Sequence, residues 1–280
     1  KNRTENYPLE VTGIDDFGVL QSTIPPFDGD TERSDAASDR FREEIRERMA
    51  RSGSKHVYIY VHGYKVNFEN PVLVASELWH FLGYNGAFIA YSWPTKFSIW
   101  AYVADLENAM NSARNLRTLI LDIAEIPEVE KIHVIGYSAG TRLVSRTLAD
   151  LGMYGYQLSK EEIDARVKLG NVILIGSDVD RSIMGGYLLD GALRIPEALT
   201  IYQSQDDGAL NMSRKIFRLE RSGQMVIDGP LSPEEEKFFA DHPQLWLIDV
   251  TNAQGGTDHG GHSYFRTSPW VSSDILMTLM

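Results

Sequence analysis

The chain contains no cysteine, which excludes disulfides, a cysteine nucleophile and thiolate metal sites. Nor does it hold any stretch near the ~20 uninterrupted apolar residues that a membrane-spanning helix needs. Basic residues are scarce: 27 Lys and Arg stand against 39 Asp and Glu, a formal net charge of −12. A surface that acidic repels phosphate backbones and anionic headgroups, so neither nucleic acid nor a membrane surface is an expected partner. Internal repeats and low-complexity tracts are missing, which excludes solenoids and arrays. No linker is long enough to divide the 280 residues, so residues 1–280 are expected to form a single domain.

What is present is the composition of an ordinary globular chain, with 43% hydrophobic and 24% charged residues. The first residue is Lys1, and the polar opening Lys1-Asn2-Arg3-Thr4-Glu5-Asn6 suits the start of an exported protein after signal cleavage. A trimmed cytoplasmic chain would look the same.

Hydrophobic patterning divides the sequence into alternating elements. Leu9–Thr12 and Phe17–Leu20 read loosely as edge strands, and Pro25, Pro26 and Gly29 mark a loop after them. Over Asp35–Arg51, Phe41, Ile45 and Met49 stand four apart, on one face of a helix. Val57–Val61, Ala87–Tyr91 and Ile132–Ile135 are short apolar runs rich in β-branched and aromatic residues, the signature of buried strands. Ile99–Glu125 reads as helix, in one piece or two. Further strands are expected at Asn171–Ile175, Leu199–Tyr202 and Leu245–Val250. Helical stretches separate most of these runs, which predicts an α/β fold with a mostly parallel central sheet and helices on both faces. Two stretches, 152–168 and 220–244, read as insertions, either surface excursions or lids over a site.

The chemistry concentrates where the Ile132–Ile135 run meets Gly136-Tyr137-Ser138-Ala139-Gly140 and then the helical Thr141-Arg142-Leu143-Val144. A strand that turns sharply into a helix strains its turning residue, and small neighbours are required on both sides. This geometry presents the Ser138 hydroxyl at the C-terminal edge of the sheet, with the Ala139 N–H at the helix N-terminus facing a developing oxyanion. His62-Gly63 closes an earlier strand, and the Tyr64 N–H is the candidate second donor.

A serine hydroxyl needs a base, and the base needs a carboxylate to fix its tautomer. Downstream of Ser138 stand His242, His259 and His262. The last two follow the final strand in a glycine-rich loop, and His262 is taken as the base with His259 as the reserve. Asp207, which opens a helical run after Leu199–Tyr202, is the expected acid; Asp206 beside it and Asp178 and Asp180 are the rivals. The cluster Asp258-His259-Gly260-Gly261-His262 admits a metal-ligand reading, but no other His or Cys group stands at ligand spacing, so no metal or cofactor is expected. Tyr64, Phe68, Trp93, Phe97 and Tyr264 gather near the predicted sheet edge, where they line an apolar pocket or belong to the core. Phe68, Trp93 and Tyr264 are the candidate substrate contacts.

Several of these pieces together resemble a bacterial α/β-hydrolase family catalogued as a domain of unknown function. They are Val61-His62-Gly63-Tyr64 with Phe68, Tyr91-Ser92-Trp93-Pro94, the elbow around Ser138, and Asp178-Val179-Asp180. Tyr202 with Ser204, Asp207-Gly208-Ala209-Leu210 and His262-Ser263-Tyr264 complete the set. The resemblance runs from about Tyr7 to the C-terminus, and it implies the α/β-hydrolase fold with Ser138, Asp207 and His262 as nucleophile, acid and base. One departure is Lys65, where the family often has Asn. The expected activity is cleavage of small carboxylic esters of short or medium acyl chains. Lipase, thioesterase or amidase activity is the alternative within the class, and a non-catalytic binding protein the alternative outside it.

Overall fold

The computed structural model describes residues 11–18, 31–64, 66–95, 102–211, 221–224, 231–253 and 261–280. Helix α1 (Thr31–Ser52) leads into strand β1 (His56–Val61), followed by α2 (Glu69–Phe81), β2 (Ala87–Tyr91) and α3 (Tyr102–Ala124). Strand β3 (Lys131–Tyr137) runs into α4 (Gly140–Tyr154), then α5 (Lys160–Val167) and β4 (Leu169–Ile175). Next come α6 (Arg181–Leu189), β5 (Ala198–Gln203), α7 (Pro233–Asp241) and β6 (Leu245–Asp249), and the chain closes with α8 (Tyr264–Thr267) and α9 (Pro269–Leu279).

The strands form one sheet in the order β2-β1-β3-β4-β5-β6, and every neighbouring pair is parallel. Parallel strands must be joined by crossovers, and the helices that make them cover both faces. Alternation within β1 sorts the two cores. Val57, Ile59 and Val61 pack with Ile45 and Met49 of α1, Leu116 and Ile120 of α3, and Leu143 and Leu148 of α4. Tyr58 and Tyr60 point the other way, into a cluster with Val74 of α2 and Val271, Ile275 and Leu279 of α9.

The strand order also fixes where a ligand can approach. From β1 the chain steps outward to β2, then crosses back over β1 to form β3 on its other side. At such a switch point the connections diverge and leave a crevice beyond the strand ends. The residues that follow β1 and β3 are His62-Gly63 and Ser138.

One expectation meets a different structure, and the two stretches read as insertions carry structure of their own. Residues 11–18, where parts of the two edge strands were expected, have no regular structure. Asp16 Oδ1 accepts the Gly18 N–H at 2.8 Å, and Gly18 sits at φ 95°, so a local turn takes the backbone groups a strand would have paired. Residues 152–168 contain the end of α4 and all of α5. Ser159 caps α5 through a reciprocal pair of bonds with Glu162, Ile163 and Val167 are buried, and the segment enters β4 at the end of the sheet remote from Ser138. In 220–244, Arg221 and Ser222 are buried and Ser232 caps α7. Helix α3 is continuous over its range; residues 99–101 lie outside the described residues.

At the same remote end, His133 of β3 is buried and stacks on Tyr58 at 5.0 Å. Its Nδ1 accepts the Asn171 N–H at 3.0 Å, which requires a neutral ring, and its Nε2 lies 3.1 Å from His56 Nδ1. Burial, with smaller contributions from His56 and Lys131, pushes its pKa down from 6.5 to about 3. Between those values the unfolded chain takes up a proton that the native ring refuses, so this group withdraws stability as the pH falls from 6.5 towards 3. The withdrawal is on the order of 5 kcal/mol. Urea unfolding at stepped pH is expected to show a shallower acid slope for His133→Gln than for the parent chain.

Candidate active site

Ser138 occupies the bend between β3 and α4 at φ 53°, a left-handed conformation that a non-glycine residue adopts at a cost. Its neighbours hold it there. The Ser138 N–H donates to Ile175 O at 2.9 Å, extending the β3–β4 ladder by one rung. Its carbonyl accepts the Thr141 N–H at 3.0 Å and the Thr141 hydroxyl at 2.6 Å. The flanking glycines are there for space. A Cβ on Gly140 would stand 2.3 Å from His62 O, and one on Gly136 3.0 Å from Val144 Cγ2.

The turn after β1 lies against the same serine. A Cβ on Gly63 would come within 2.9 Å of Ser138 Cβ and 3.4 Å of its Oγ, so the His62-Gly63-Tyr64 backbone passes directly beside the hydroxyl. His62 organises that turn. Its Nδ1 donates to Gly63 O at 2.6 Å, its Nε2 accepts the Trp93 N–H at 3.1 Å, and its ring stacks on the Trp93 indole at 5.4 Å. The indole N–H returns a bond to His62 O at 2.8 Å. Burial pushes the His62 pKa down, which suits a ring whose Nε2 must stay an acceptor.

Across the crevice, His262 Nε2 lies 2.8 Å from Ser138 Oγ and His262 Nδ1 lies 2.6 Å from Asp207 Oδ2. Asp207 is fully buried, and its second oxygen accepts the Leu210 N–H at 3.0 Å. A buried carboxylate accepts the Nδ1 proton, which leaves Nε2 as the acceptor for the serine hydroxyl. The Tyr137 ring flanks the imidazole at 5.1 Å. Gly176, at φ 55°, floors the pair: a Cβ there would stand 3.0 Å from His262 Cε1 and 3.4 Å from Asp207 Oδ2.

The structure thus brings Ser138, His262 and Asp207 into one hydrogen-bonded line. Asp206 is exposed. Asp180 caps α6, accepting from Ser182 N and Ile183 N. Asp178 is buried and faces two guanidinium groups, Arg142 Nε at 3.0 Å and Arg221 Nε at 3.5 Å. His242 Nδ1 is bound to Phe238 O, and His80 to the Tyr84 hydroxyl. His259, Lys65 and Phe97 lie outside the described residues. Among the described residues no His, Asp and Glu groups gather as metal ligands.

The aromatic contacts need correction. Phe68 is exposed at the start of α2, where a ligand could touch it. Trp93 and Tyr264 are only 3% and 2% exposed, and their polar atoms are bound to backbone groups. Aromatic identity marks a residue for burial as readily as for binding, and these two stand behind the site rather than on its surface. Four participants escaped the sequence reading: His62, Thr141, Tyr137 and Gly176. Each stands in a legible local pattern, Gly176 as a glycine closing an apolar β run, but the side-chain contacts of the other three do not show in the sequence.

A parallel sheet of this topology, with a serine at the bend after β3 and a histidine–aspartate pair reaching it from later loops, has the architecture of the α/β hydrolases. The chain belongs to the family described as alpha/beta hydrolase of unknown function (DUF900), whose model matches residues 37–279. No curated protein is similar enough to the chain to count as a relative. Among solved structures it is similar to esterase B from Lactobacillus rhamnosis, seen with a tributyrin phosphonate, at 12% identity and a TM-score of 0.46, over 82% of this chain and 75% of that one. It is also similar to a lipase-esterase related protein from Clostridium acetobutylicum, at 14% identity and a TM-score of 0.33, over 80% and 94%.

The packing of the bend makes a contrast that unfolding experiments can read. Gly140→Ala drives a methyl into backbone oxygens that cannot move aside, and is expected to destabilise the fold by about 1–3 kcal/mol. Gly185→Ala in α6 meets nothing within 4 Å and is expected to stabilise by about 0.5–1 kcal/mol.

Proposed function

We propose that the protein is a serine hydrolase that cleaves carboxylic esters through an acyl-enzyme intermediate, with Ser138 as nucleophile, His262 as base and Asp207 as acid. The observation that carries this reading is the unbroken line from Ser138 Oγ to His262 Nε2 at 2.8 Å and from His262 Nδ1 to Asp207 Oδ2 at 2.6 Å. His262 takes the serine proton as Oγ attacks the carbonyl carbon. The negative charge then develops on the carbonyl oxygen, where the amides of Ala139 and Tyr64 donate to it. Ala139 is the N-cap residue of α4, next to the leading N–H groups that have no intrahelical acceptor, and Tyr64 follows the glycine that lies against Ser138. As the tetrahedral intermediate collapses, His262 returns its proton to the departing alcohol. A water deprotonated by His262 then attacks the acyl-enzyme, the acid leaves, and Ser138 regains its proton.

Asp207 holds the imidazole in the tautomer this cycle needs and stabilises the imidazolium that forms twice in it. Esters are the substrates that ask least of this arrangement. Either leaving group takes one proton from His262, but an alkoxide departs far more readily than an amide anion, so proton transfer need be less advanced when an ester C–O bond breaks. We read the preferred acyl chains as short or medium, the exposed Phe68 ring as a substrate contact, and the described elements as one catalytic domain.

A fluorophosphonate probe is expected to label the folded protein at Ser138 and to leave Ser138→Ala unlabelled, as read by intact-protein and peptide mass. Absence of label on the folded parent chain would sink the hydrolase reading and favour a binding protein that kept the fold. On p-nitrophenyl esters of rising chain length, turnover is expected to peak at short or medium acyl groups. Asp207→Asn should lower kcat on the order of 10³–10⁴-fold, because the amide presents the imidazole with the wrong hydrogen-bonding partner.

A further inference from the structure

Tyr264 stands two residues beyond His262, buried, with its hydroxyl in the floor of the site. The hydroxyl makes two bonds. It accepts the Gly176 N–H at 2.7 Å and donates to Tyr202 O at 3.2 Å. Gly176 follows β4 and Tyr202 lies near the end of β5, so one oxygen joins the tips of two neighbouring strands to the loop that carries the histidine.

Each of those three elements bears on the His262–Asp207 bond. Gly176 packs beneath the bond itself, close enough that a methyl there would press on both partners. Tyr202 begins the short run that leads through Gln203 and Ser204 to Asp207, and Asp207 N–H donates back to Ser204 O at 3.5 Å. Next to the histidine, a Cβ on Gly261 would stand 2.6 Å from Asp206 O, so the backbone at Gly261 lies directly on the backbone that presents the acid. A shift of either strand tip or of the loop alters the 2.6 Å separation between Nδ1 and Oδ2.

We propose that Tyr264 is a positioning residue for the base, its hydroxyl fixing the ends of β4 and β5 and the His262 loop relative to one another so that the imidazole meets both Asp207 and Ser138. This rests on the serine-hydrolase reading above. Burial, and secondarily the nearby Asp207 carboxylate, hold the Tyr264 pKa far above its ordinary value, so the hydroxyl keeps the proton it donates to Tyr202 O. Tyr264 touches no reacting atom in this arrangement. It acts through the geometry of a base whose efficiency falls steeply with misplacement.

The test is Tyr264→Phe, which keeps the ring and removes one oxygen. Its control is Tyr58→Phe, which removes a buried hydroxyl that donates to Leu279 O at 3.4 Å at the opposite end of the sheet. For Tyr264→Phe, kcat on a p-nitrophenyl ester is expected to fall about tenfold with KM within about twofold, and fluorophosphonate labelling should slow in proportion. The downfield proton resonance of the His262 Nδ1–H bonded to Asp207 should weaken and move upfield. Tyr58→Phe should leave all three readouts at parent values. A labelled parent chain with Tyr264→Phe showing parent kcat and an unmoved resonance overturns the positioning role and leaves the hydrolase reading intact. An unlabelled parent chain fails the hydrolase reading instead, and the resonance alone then decides whether Tyr264 holds the pair. A Tyr264→Phe chain that cannot fold while Tyr58→Phe folds overturns the proposal as well, because the hydroxyl would then determine the fold rather than the placement of the base.

Discussion

The left-handed backbone at Ser138 is the constraint from which the rest of the site follows. A non-glycine residue in that conformation costs about 1–3 kcal/mol and persists only where its surroundings over-determine it. Here they do so from three sides. The β4 strand captures the Ser138 N–H, Thr141 captures the carbonyl twice, and Gly140 lets α4 begin directly against the end of β1. Each of these contacts belongs to the buried framework of the sheet, which loses far more by opening than the bend gains by relaxing. The strain therefore stays, and the hydroxyl it projects has one place to be. The histidine and the turn after β1 can then be built to that point from distant parts of the chain.

Two carboxylates close the ends of neighbouring strands in this region, and their different surroundings give them different work. Asp178, after β4, is gripped by Arg142 and Arg221, while its own N–H donates to Thr141 Oγ1 at 3.2 Å. Its charge is committed to two cations, and the pairing ties α4, the loop after β4 and the Arg221 segment together. Asp207, after β5, faces an amide and an imidazole. Its charge is compensated only in part while His262 is neutral, and more fully once His262 gains a proton. Residue type alone does not distinguish these two acids; their partners do.

Much of this was legible in the order of residues, for identifiable reasons. The bend announces itself locally, since a β-branched run, three small residues and a helical run occur in sequence around Ser138 and the sterics that demand them act over a few bonds. His262 and Asp207 were legible through chain order and through their places after the last two strands. What could not be read was direction. Trp93 and Tyr264 carry apolar rings with polar ends, and nothing in the linear sequence says whether the ring faces a ligand or the interior; the structure turns both inward. Residues 11–18 failed as strand because an Asp16–Gly18 turn satisfies the backbone locally. Tyr137 was invisible as a participant because its partner, His262, lies far away along the chain, and so was the contact of Thr141 with Asp178.

His62 and His262, both at the C-terminal edge of the sheet, differ in what their ring nitrogens meet. Both are hydrogen-bonded through each ring nitrogen. His62 spends both bonds on backbone, donating to Gly63 O and accepting from Trp93 N. Gaining a proton would set its Nε2 against the Trp93 N–H inside a stacked, buried pair, and burial has already moved its pKa down. Its tautomer is locked, so it can shape the turn but cannot cycle. His262 places a carboxylate on one nitrogen and a hydroxyl on the other. Identical side chains therefore meet different surroundings: one is locked between backbone groups so that the turn beside Ser138 keeps its form, and the other stands between a carboxylate and the Ser138 hydroxyl.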